Sequence, residues 1–269
     1  MEAAGVVDAI GSGVTGVAVG DRVMCLGADA YAEYMIAKPH DLYPMPDGLD
    51  FAEAAALPIQ GLTAHHVLSM CGRLVPGETV LVHAAAGGVG TLAVQLAKRL
   101  GAKDVIATAS SESKLALAKE LGADFTIDYT RKDWVAEVRT HTGGKGVDVL
   151  LEMLGGTDML KRNLACLAPL GRMVVYGAAT GDTRGTVEPV GLMGKNQSIT
   201  GYYLTPLLKN RALCAPPLAE LARMASEGPP ETRLRVVVGR RFSLEAAAEA
   251  HRALEGRGSV GKIVLTMAH

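Results

Sequence analysis

Val80-Leu81-Val82-His83-Ala84-Ala85-Ala86-Gly87-Gly88-Val89-Gly90 is the stretch that decides the fold. It passes from apolar residues through a run of small ones into a helical pattern over Val89–Leu100. Reduced to its spacing it is Ala85-x-Gly87-x-x-Gly90, a phosphate-binding turn between a strand and a helix. Gly87 lets the backbone come close to a pyrophosphate, and Gly90 lets the helix pack against the strand. The helix start, through Gly88 and Val89, offers unpaired N–H groups and a positive dipole end to the anion. Gly-Gly is also ordinary loop chemistry, so the flanking sequence has to carry the reading.

Downstream, apolar runs and amphipathic segments alternate. Glu78–His83 reads as a strand, Val89–Leu100 as a helix, Asp104–Thr108 as a strand and Glu112–Leu121 as a helix. Asp124–Asp128 follows as a strand, Lys132–Thr142 as a helix and Val147–Met153 as a strand. A helix near Asp158–Cys166 then precedes strands at Leu170–Gly177 and Ser198–Leu204. Gly101-Ala102 and Gly122-Ala123 stand where two helices should stop, as C-terminal caps require. Strands apolar on both faces and separated by helices predict α/β architecture, a Rossmann-type doubly wound parallel sheet.

Upstream the texture is β-rich. Ala4–Ile10, Arg22–Leu26 and Tyr31–Ala37 read as short strands, and Lys38–Asp47, with Pro39, Pro44 and Pro46, as a loop. After Pro206 come a helix over Pro217–Glu227, a β-rich run over Arg233–Arg240, a helix over Ser243–Glu255 and a closing strand over Lys262–Met267. Ser243 is placed to cap the helix it begins. Two domains follow from this: residues 1–59 and 206–269 form one, interrupted by a dinucleotide-binding domain over residues 60–205.

The 269 residues carry 27 Lys and Arg against 28 Asp and Glu, a net charge of −1, which argues against nucleic acid or an anionic membrane as partner. Apolar runs are too short to span a bilayer and no signal peptide is evident, so the expected location is cytoplasmic. Cys25, Cys71, Cys166 and Cys214 are far apart with no C-x-x-C pair, so they read as free, buried thiols and no metal site is expected.

Cofactor choice is read at the end of the second strand of the alternating region. NAD usually meets Asp or Glu there, on the ribose 2′-hydroxyl. This chain has Thr108-Ala109-Ser110-Ser111, with Lys114 a turn later. Ser110, Ser111 and Lys114 would attract a 2′-phosphate that an acid would repel, so NADP(H) is expected. The competing reading makes Lys114 a solvated residue and Ser111 a helix N-cap. Among catalytic candidates, His65 and His66 point in different directions and make a poor metal pair. His83 is better suited to a structural hydrogen bond, Tyr202 and Tyr203 to packing, and Glu152 to a strand edge or a cap. No general acid emerges, and the catalytic residue stays unassigned.

Glu2-Ala3-Ala4-Gly5-Val6-Val7, Gly20-Asp21-Arg22-Val23, Tyr31-Ala32-Glu33-Tyr34, Gly61-Leu62-Thr63-Ala64, the glycine-rich turn and Gly261-Lys262-Ile263-Val264-Leu265 occur in this order. With these anchors the chain resembles the medium-chain dehydrogenase/reductase superfamily, in its zinc-free quinone oxidoreductase branch. The resemblance implies a GroES-like substrate domain, NADPH as hydride donor, and a quinone or an α,β-unsaturated carbonyl compound as acceptor. It implies Lys114 and Tyr129 at the 2′-phosphate, Tyr176, Gly177 and Ala178 beside the nicotinamide half, and Thr63 near the nicotinamide. It also implies a homodimer through the edge strand at 198–204. Zinc relatives carry Gly-His-Glu where this chain begins Met1-Glu2, and a four-cysteine lobe with no counterpart here. Enoylreductases of polyketide and fatty-acid synthesis, the nearest alternative, have a lysine where this chain has Ala178. The resemblance further implies about fifty to sixty residues ahead of Met1, whose strands would cover sheet edges. Either this is part of a longer reading frame or the substrate domain is reduced; in the second case a non-catalytic NADPH-binding protein is the competing function.

Overall fold

The structure, a computed structural model, describes residues 2–267. Met1, read above in place of a metal-ligating histidine, lies outside the described residues. The chain divides into two compact units, one of Met1–Thr63 and Leu204–His269 and the other of Ala64–Tyr203. The sequence boundaries at 59 and 205 thus come out at 63 and 203, the first of them inside one continuous helix, Pro58–His66.

The first unit opens with β1 (Glu2–Val6), β2 (Arg22–Leu26) and β3 (Leu42–Pro44), an antiparallel sheet in that order. Helix α1 (Phe51–Ala55) starts at a reciprocal capping box between Asp50 and Glu53, and α2 (Pro58–His66) follows. Arg22 lies over the Phe51 ring at 5.0 Å and donates to the Leu49 carbonyl at 2.7 Å, locking β2 against α1.

In the second unit, β4 (Thr79–Val82), α3 (Gly88–Arg99), β5 (Asp104–Ala109), α4 (Glu112–Glu120), β6 (Phe125–Asp128) and α5 (Trp134–His141) alternate as expected. β7 (Val147–Glu152), α6 (Thr157–Cys166), β8 (Leu167–Val175), α7 (Pro189–Met193) and β9 (Ser198–Gly201) complete it. All six strands are parallel, in the order β6-β5-β4-β7-β8-β9, so the chain reverses its direction of strand addition between β4 and β7. The core sits between sheet and helices: Leu81, Ile106, Ile127 and Leu150 against Trp134, Val138 and Cys166. Helices α3 and α4 end as the glycines predicted. Gly101 and Gly122 have φ of 86° and 105°, and Ala102 and Ala123 donate back to Ala97 and Ala118 at 3.0 and 3.1 Å.

The first unit resumes with α8 (Arg211–Ser226), β10 (Val238–Ser243), α9 (Ala247–Glu255) and β11 (Lys262–Thr266), β10 and β11 pairing in parallel. Two of the quoted anchors meet here: Lys262 is ion-paired with the buried carboxylate of Glu2, which also accepts the Ile59 N–H at 2.8 Å.

Several expected elements differ. Residues 31–34 form bends and 35–37 run on without regular structure, not as a strand, with Tyr34 and Ile36 exposed; no strand lies alongside them among the described residues, and alternation without a ladder partner makes no strand. The loop expected over residues 38–47 contains β3, because Leu42 to Pro44 pair with β2. β1 ends at Val6, short of Ile10. Helix α8 begins at Arg211, six residues before Pro217, and holds Pro216 and Pro217 inside it. Its first turn is anchored by the Arg211 guanidinium, which bonds the His40 and Leu42 carbonyls and lies 4.8 Å over the Tyr43 ring. The β-rich run at 233–240 pairs only from Val238, while Leu234 and Val236 are buried by packing. Ser243 makes no capping bond to the turn that follows it, its hydroxyl bonding the Glu245 carboxylate and helping to lower that acid's pKa. β9 stops at Gly201, not Leu204, and β8 starts early, at Leu167, turning through Leu170 at φ 63°.

Candidate functional site

A parallel sheet brings the carboxyl ends of all its strands to one edge, and the reversal point, here between β4 and β7, is where open α/β sheets bind their ligands. The glycine-rich turn leaves β4 at this point. Gly87 is the N-cap of α3 with no side-chain cap, and the first turn of α3 contains no acid. Gly87, Gly88 and Val89 are partly exposed, while Ala85 and Gly90 are buried. A Cβ on Gly90 would strike the Ala84 carbonyl and come within 2.7 Å of Ala85 Cα, which is why that position has to be glycine. A Cβ on Gly87 would meet only the Ala84 oxygen, at 3.3 Å. The Gly87 N–H is taken by the Ala84 carbonyl at 2.9 Å, so it is the first residues of α3 that offer helix-start N–H groups and a dipole end, with no acid in that first turn.

The neighbouring strand ends carry other expected residues. Ala85 N–H donates to the Thr108 carbonyl at 3.0 Å, binding the turn to the end of β5, where Ser110 is exposed and Ser111 half-buried. Ser111 is the N-cap residue of α4 but forms no capping bond; its hydroxyl lies 3.3 Å from that of Ser113. Lys114 is half-buried in the first turn of α4. Tyr129 follows β6, its N–H donating to Ala109 at 3.2 Å. Tyr176, Gly177 and Ala178 follow β8, with Tyr176 N–H on the Glu152 carbonyl at 2.9 Å. From β6 to β8 is four strand spacings, about 19 Å, so these residues line one edge as an extended ligand would need. Thr63 is buried on α2 and belongs to the other unit.

Beneath this edge lies a polar cluster that the sequence reading did not assemble. His83, fully buried, has Nδ1 at 2.7 Å from Thr108 Oγ1 and Nε2 at 2.8 Å from Asn163 Oδ1. Asn163 Nδ2 donates to Glu152 Oε2, while Glu152 Oε1 accepts the N–H groups of Leu154 at 2.5 Å and Gly155 at 2.7 Å. Burial pushes the His83 imidazole below its ordinary pKa against the pull of the Glu152 charge, so it is neutral. Its role is the structural hydrogen bond expected. Thr108, grouped by sequence with Ser110 and Ser111, is turned inward. Glu152 does not cap α6, whose N-cap is Gly156; it binds the loop ahead of that helix. The available signal was Asn163, a polar residue at a core position of an amphipathic helix. Tyr176 is pushed above its ordinary pKa by burial and by the Glu152 charge, and its hydroxyl has no partner among the described residues.

The remaining candidates are engaged elsewhere. His66 Nδ1 is 2.8 Å from the Tyr202 hydroxyl in a buried pair, and His65 lies 3.3 Å from the Ser69 hydroxyl. Tyr203 is exposed. Cys25 and Cys166 are buried thiols pushed up to about 11 and about 12 by burial. Among the described residues no three His, Cys, Asp or Glu side chains are grouped to hold a metal ion, and no helix is long and apolar enough to cross a membrane.

Comparison with known proteins matches residues 1–47 to an alcohol dehydrogenase GroES-like domain and residues 88–213 to a zinc-binding dehydrogenase domain. The chain is 38% identical over 271 residues to 2-haloacrylate reductase of a Burkholderia species, covering 98% of this chain and 79% of that protein. It is 38% identical over 266 residues to quinone oxidoreductase of Pseudomonas aeruginosa, covering 98% and 80%. The crystal structure of Escherichia coli quinone oxidoreductase complexed with NADPH superposes with a TM-score of 0.88 at 33% identity, covering 98% of this chain and 80% of that one.

Proposed function

The chain belongs to the medium-chain dehydrogenase/reductase superfamily, in its quinone oxidoreductase-like branch, and we propose that it is an NADPH-dependent, zinc-independent reductase of quinones or α,β-unsaturated carbonyl compounds. The observation that carries this is an acid-free start of α3 with no side-chain cap at the sheet's reversal point, next to the strand end Thr108–Ser111, which has hydroxyls and no acid ahead of Glu112 in the first turn of α4. That donor set fits a dinucleotide with a 2′-phosphate.

Bound NADPH supplies a hydride from its nicotinamide ring. Ala85, Gly87, Gly88, Val89 and Gly90 would hold the pyrophosphate, and Ser110, Ser111, Lys114 and Tyr129 the 2′-phosphate. Tyr176, Gly177 and Ala178 would flank the nicotinamide half. The buried, unpartnered Tyr176 hydroxyl suits a position that a ligand completes. Catalysis then rests on orienting donor and acceptor, with the proton taken from water. Zinc independence is supported by the donors themselves, since the four cysteines are dispersed. The similarity to a haloacrylate reductase supports the α,β-unsaturated carbonyl class in its broad sense, because an acrylate has its double bond conjugated to a carboxyl group. A panel of quinones and enones tested with NADPH should give cofactor oxidation; none with any acceptor, in a folded protein, would sink the proposal.

The same reading includes a homodimer. Among the described residues β9 pairs only with β8 and so forms the sheet's edge, without Lys or Pro along Ser198–Gly201. Val190, Met193 and Tyr203 are exposed near it in sequence. Such an edge invites a second copy. Sedimentation at micromolar concentration should give a dimer, and a monomer there removes this part of the proposal.

A further inference from the structure

We infer that Glu152, acting with Asn163, is a positioning residue that fixes the loop Met153–Gly156 and through it the strand-end segment Tyr176–Thr180. The inference rests on the proposed function for what that segment does, namely flank the nicotinamide. Its geometry is independent. Glu152 is 2% exposed, and one carboxylate oxygen takes both the Leu154 and Gly155 N–H groups. The loop so held presents its carbonyls to the neighbouring segment: Ala179 N–H donates to Met153 at 2.8 Å and Thr180 N–H to Leu154 at 2.9 Å. Gly155, at φ 82°, packs so closely that a Cβ would lie 2.5 Å from the Asp182 carbonyl and 3.0 Å from Ala178 Cβ.

The same acid sets the direction of a chain of hydrogen bonds. A carboxylate only accepts, so Asn163 must turn Nδ2 to it and Oδ1 to His83. His83 must then donate from Nε2, leaving Nδ1 to accept from the Thr108 hydroxyl. One carboxylate thus fixes an amide orientation, an imidazole tautomer and a hydroxyl rotor across the ends of β7, β4 and β5. Replacing it by an amide reverses the chain and leaves every bond satisfied. In Glu152→Gln the carbonyl keeps the two loop N–H groups and the new NH₂ donates to Asn163 Oδ1. Asn163 then donates to His83 Nε2, and His83 Nδ1–H donates to Thr108. Glu152→Ala has no such alternative.

Three readouts test this. Nitrogen NMR of the imidazole should show His83 protonated at Nε2 in the wild type and at Nδ1 in Glu152→Gln. Hydrogen exchange at the Leu154 and Gly155 amides should match wild type in Glu152→Gln and be at least about tenfold faster in Glu152→Ala. NADPH turnover should fall about thirty- to a hundredfold in kcat for Glu152→Ala, with KM for NADPH changed less than about threefold, and return to within about threefold of wild type in Glu152→Gln. An unchanged His83 tautomer in Glu152→Gln overturns the inference. So do unchanged exchange and kcat in Glu152→Ala, whose folding Trp134, the single tryptophan, reports from its place 5.4 Å from the His83 ring. If Glu152→Ala does not fold, the tautomer of Glu152→Gln decides alone. A wild type that oxidises no NADPH defeats the proposed function, and the exchange and imidazole readouts still decide whether Glu152 holds the loop.

Discussion

The two edges of the parallel sheet are held by different chemistry. At the amino edge the fasteners are ion pairs. Glu78, just ahead of β4, is gripped by both terminal nitrogens of Arg172 at 2.6 Å. Asp124, ahead of β6, meets Lys98 at 2.9 Å and accepts the Val105 N–H at 2.7 Å. Asp148 takes the Thr79 N–H and the Lys145 ammonium, each at 2.9 Å. At the carboxyl edge one buried carboxylate, Glu152, is bound by neutral donors: the Leu154 and Gly155 N–H groups and Asn163 Nδ2. At the amino edge the charges close the sheet in partial solvent. The carboxyl edge must stay open outward to an anion, and its fastening has to be buried beneath that opening.

The largest effect expected from breaking this contrast is at Gly90. Gly90→Val places atoms inside the Ala84 carbonyl and the Ala85 backbone, so the turn has to open. NADPH affinity should fall by more than about a hundredfold, with about 3 kcal/mol lost in stability from overpacking. Titration of cofactor against urea-checked folded protein measures both. Retained binding would show that the turn does not form the phosphate cradle.

Lys114→Ala comes next, and it sharpens the comparison by asking whether a cation serves the ligand at the carboxyl edge. A charge-assisted bond to phosphate contributes about 1.5–3 kcal/mol, so NADPH should weaken about ten- to a hundredfold while NADH changes little. Equal weakening of both cofactors would place Lys114 away from the 2′-phosphate.

The strand ends and the turn were legible because their signals are local. Glycine caps, apolar runs and the Gly87-to-Gly90 spacing each act within a few residues. The polar cluster was not legible, since Thr108, His83, Glu152 and Asn163 come from four elements and meet only once β4, β5 and β7 are side by side. Residues 31–37 show the converse: their alternation is local and correct for a strand, but a strand also needs a neighbour. At Arg211 a distant anchor extended a helix upstream past two prolines, which no propensity near Pro217 could reveal.

The smallest expected effect, and the one that separates the edges most directly, is their response to acid. Burial opposes the ionised form of Glu78, but the Arg172 hydrogen bonds and charge outweigh it and hold its pKa below the ordinary 4.5. Glu78 therefore adds stability that is complete above about pH 4.5 and is lost as pH falls further, through the folded value. His83 is held below its ordinary 6.5 by burial, so it is neutral when folded. Once the pH drops below about 6.5 the unfolded chain takes a proton that the folded one refuses, so stability falls from there downward. Between pH 6.5 and 4.5 protonation of His83 in the unfolded chain lowers stability, while the contribution of Glu78 is still intact. One proton gives a slope of at most about 1.4 kcal/mol per pH unit. His83→Gln should flatten the denaturation midpoint against pH in this window while leaving the decline below 4.5. Glu78→Gln should do the reverse, leaving the upper slope and weakening the lower one. If His83→Gln keeps the wild-type slope between 6.5 and 4.5, the imidazole is not the buried neutral group that the cluster requires, and the contrast between the two edges fails at its centre.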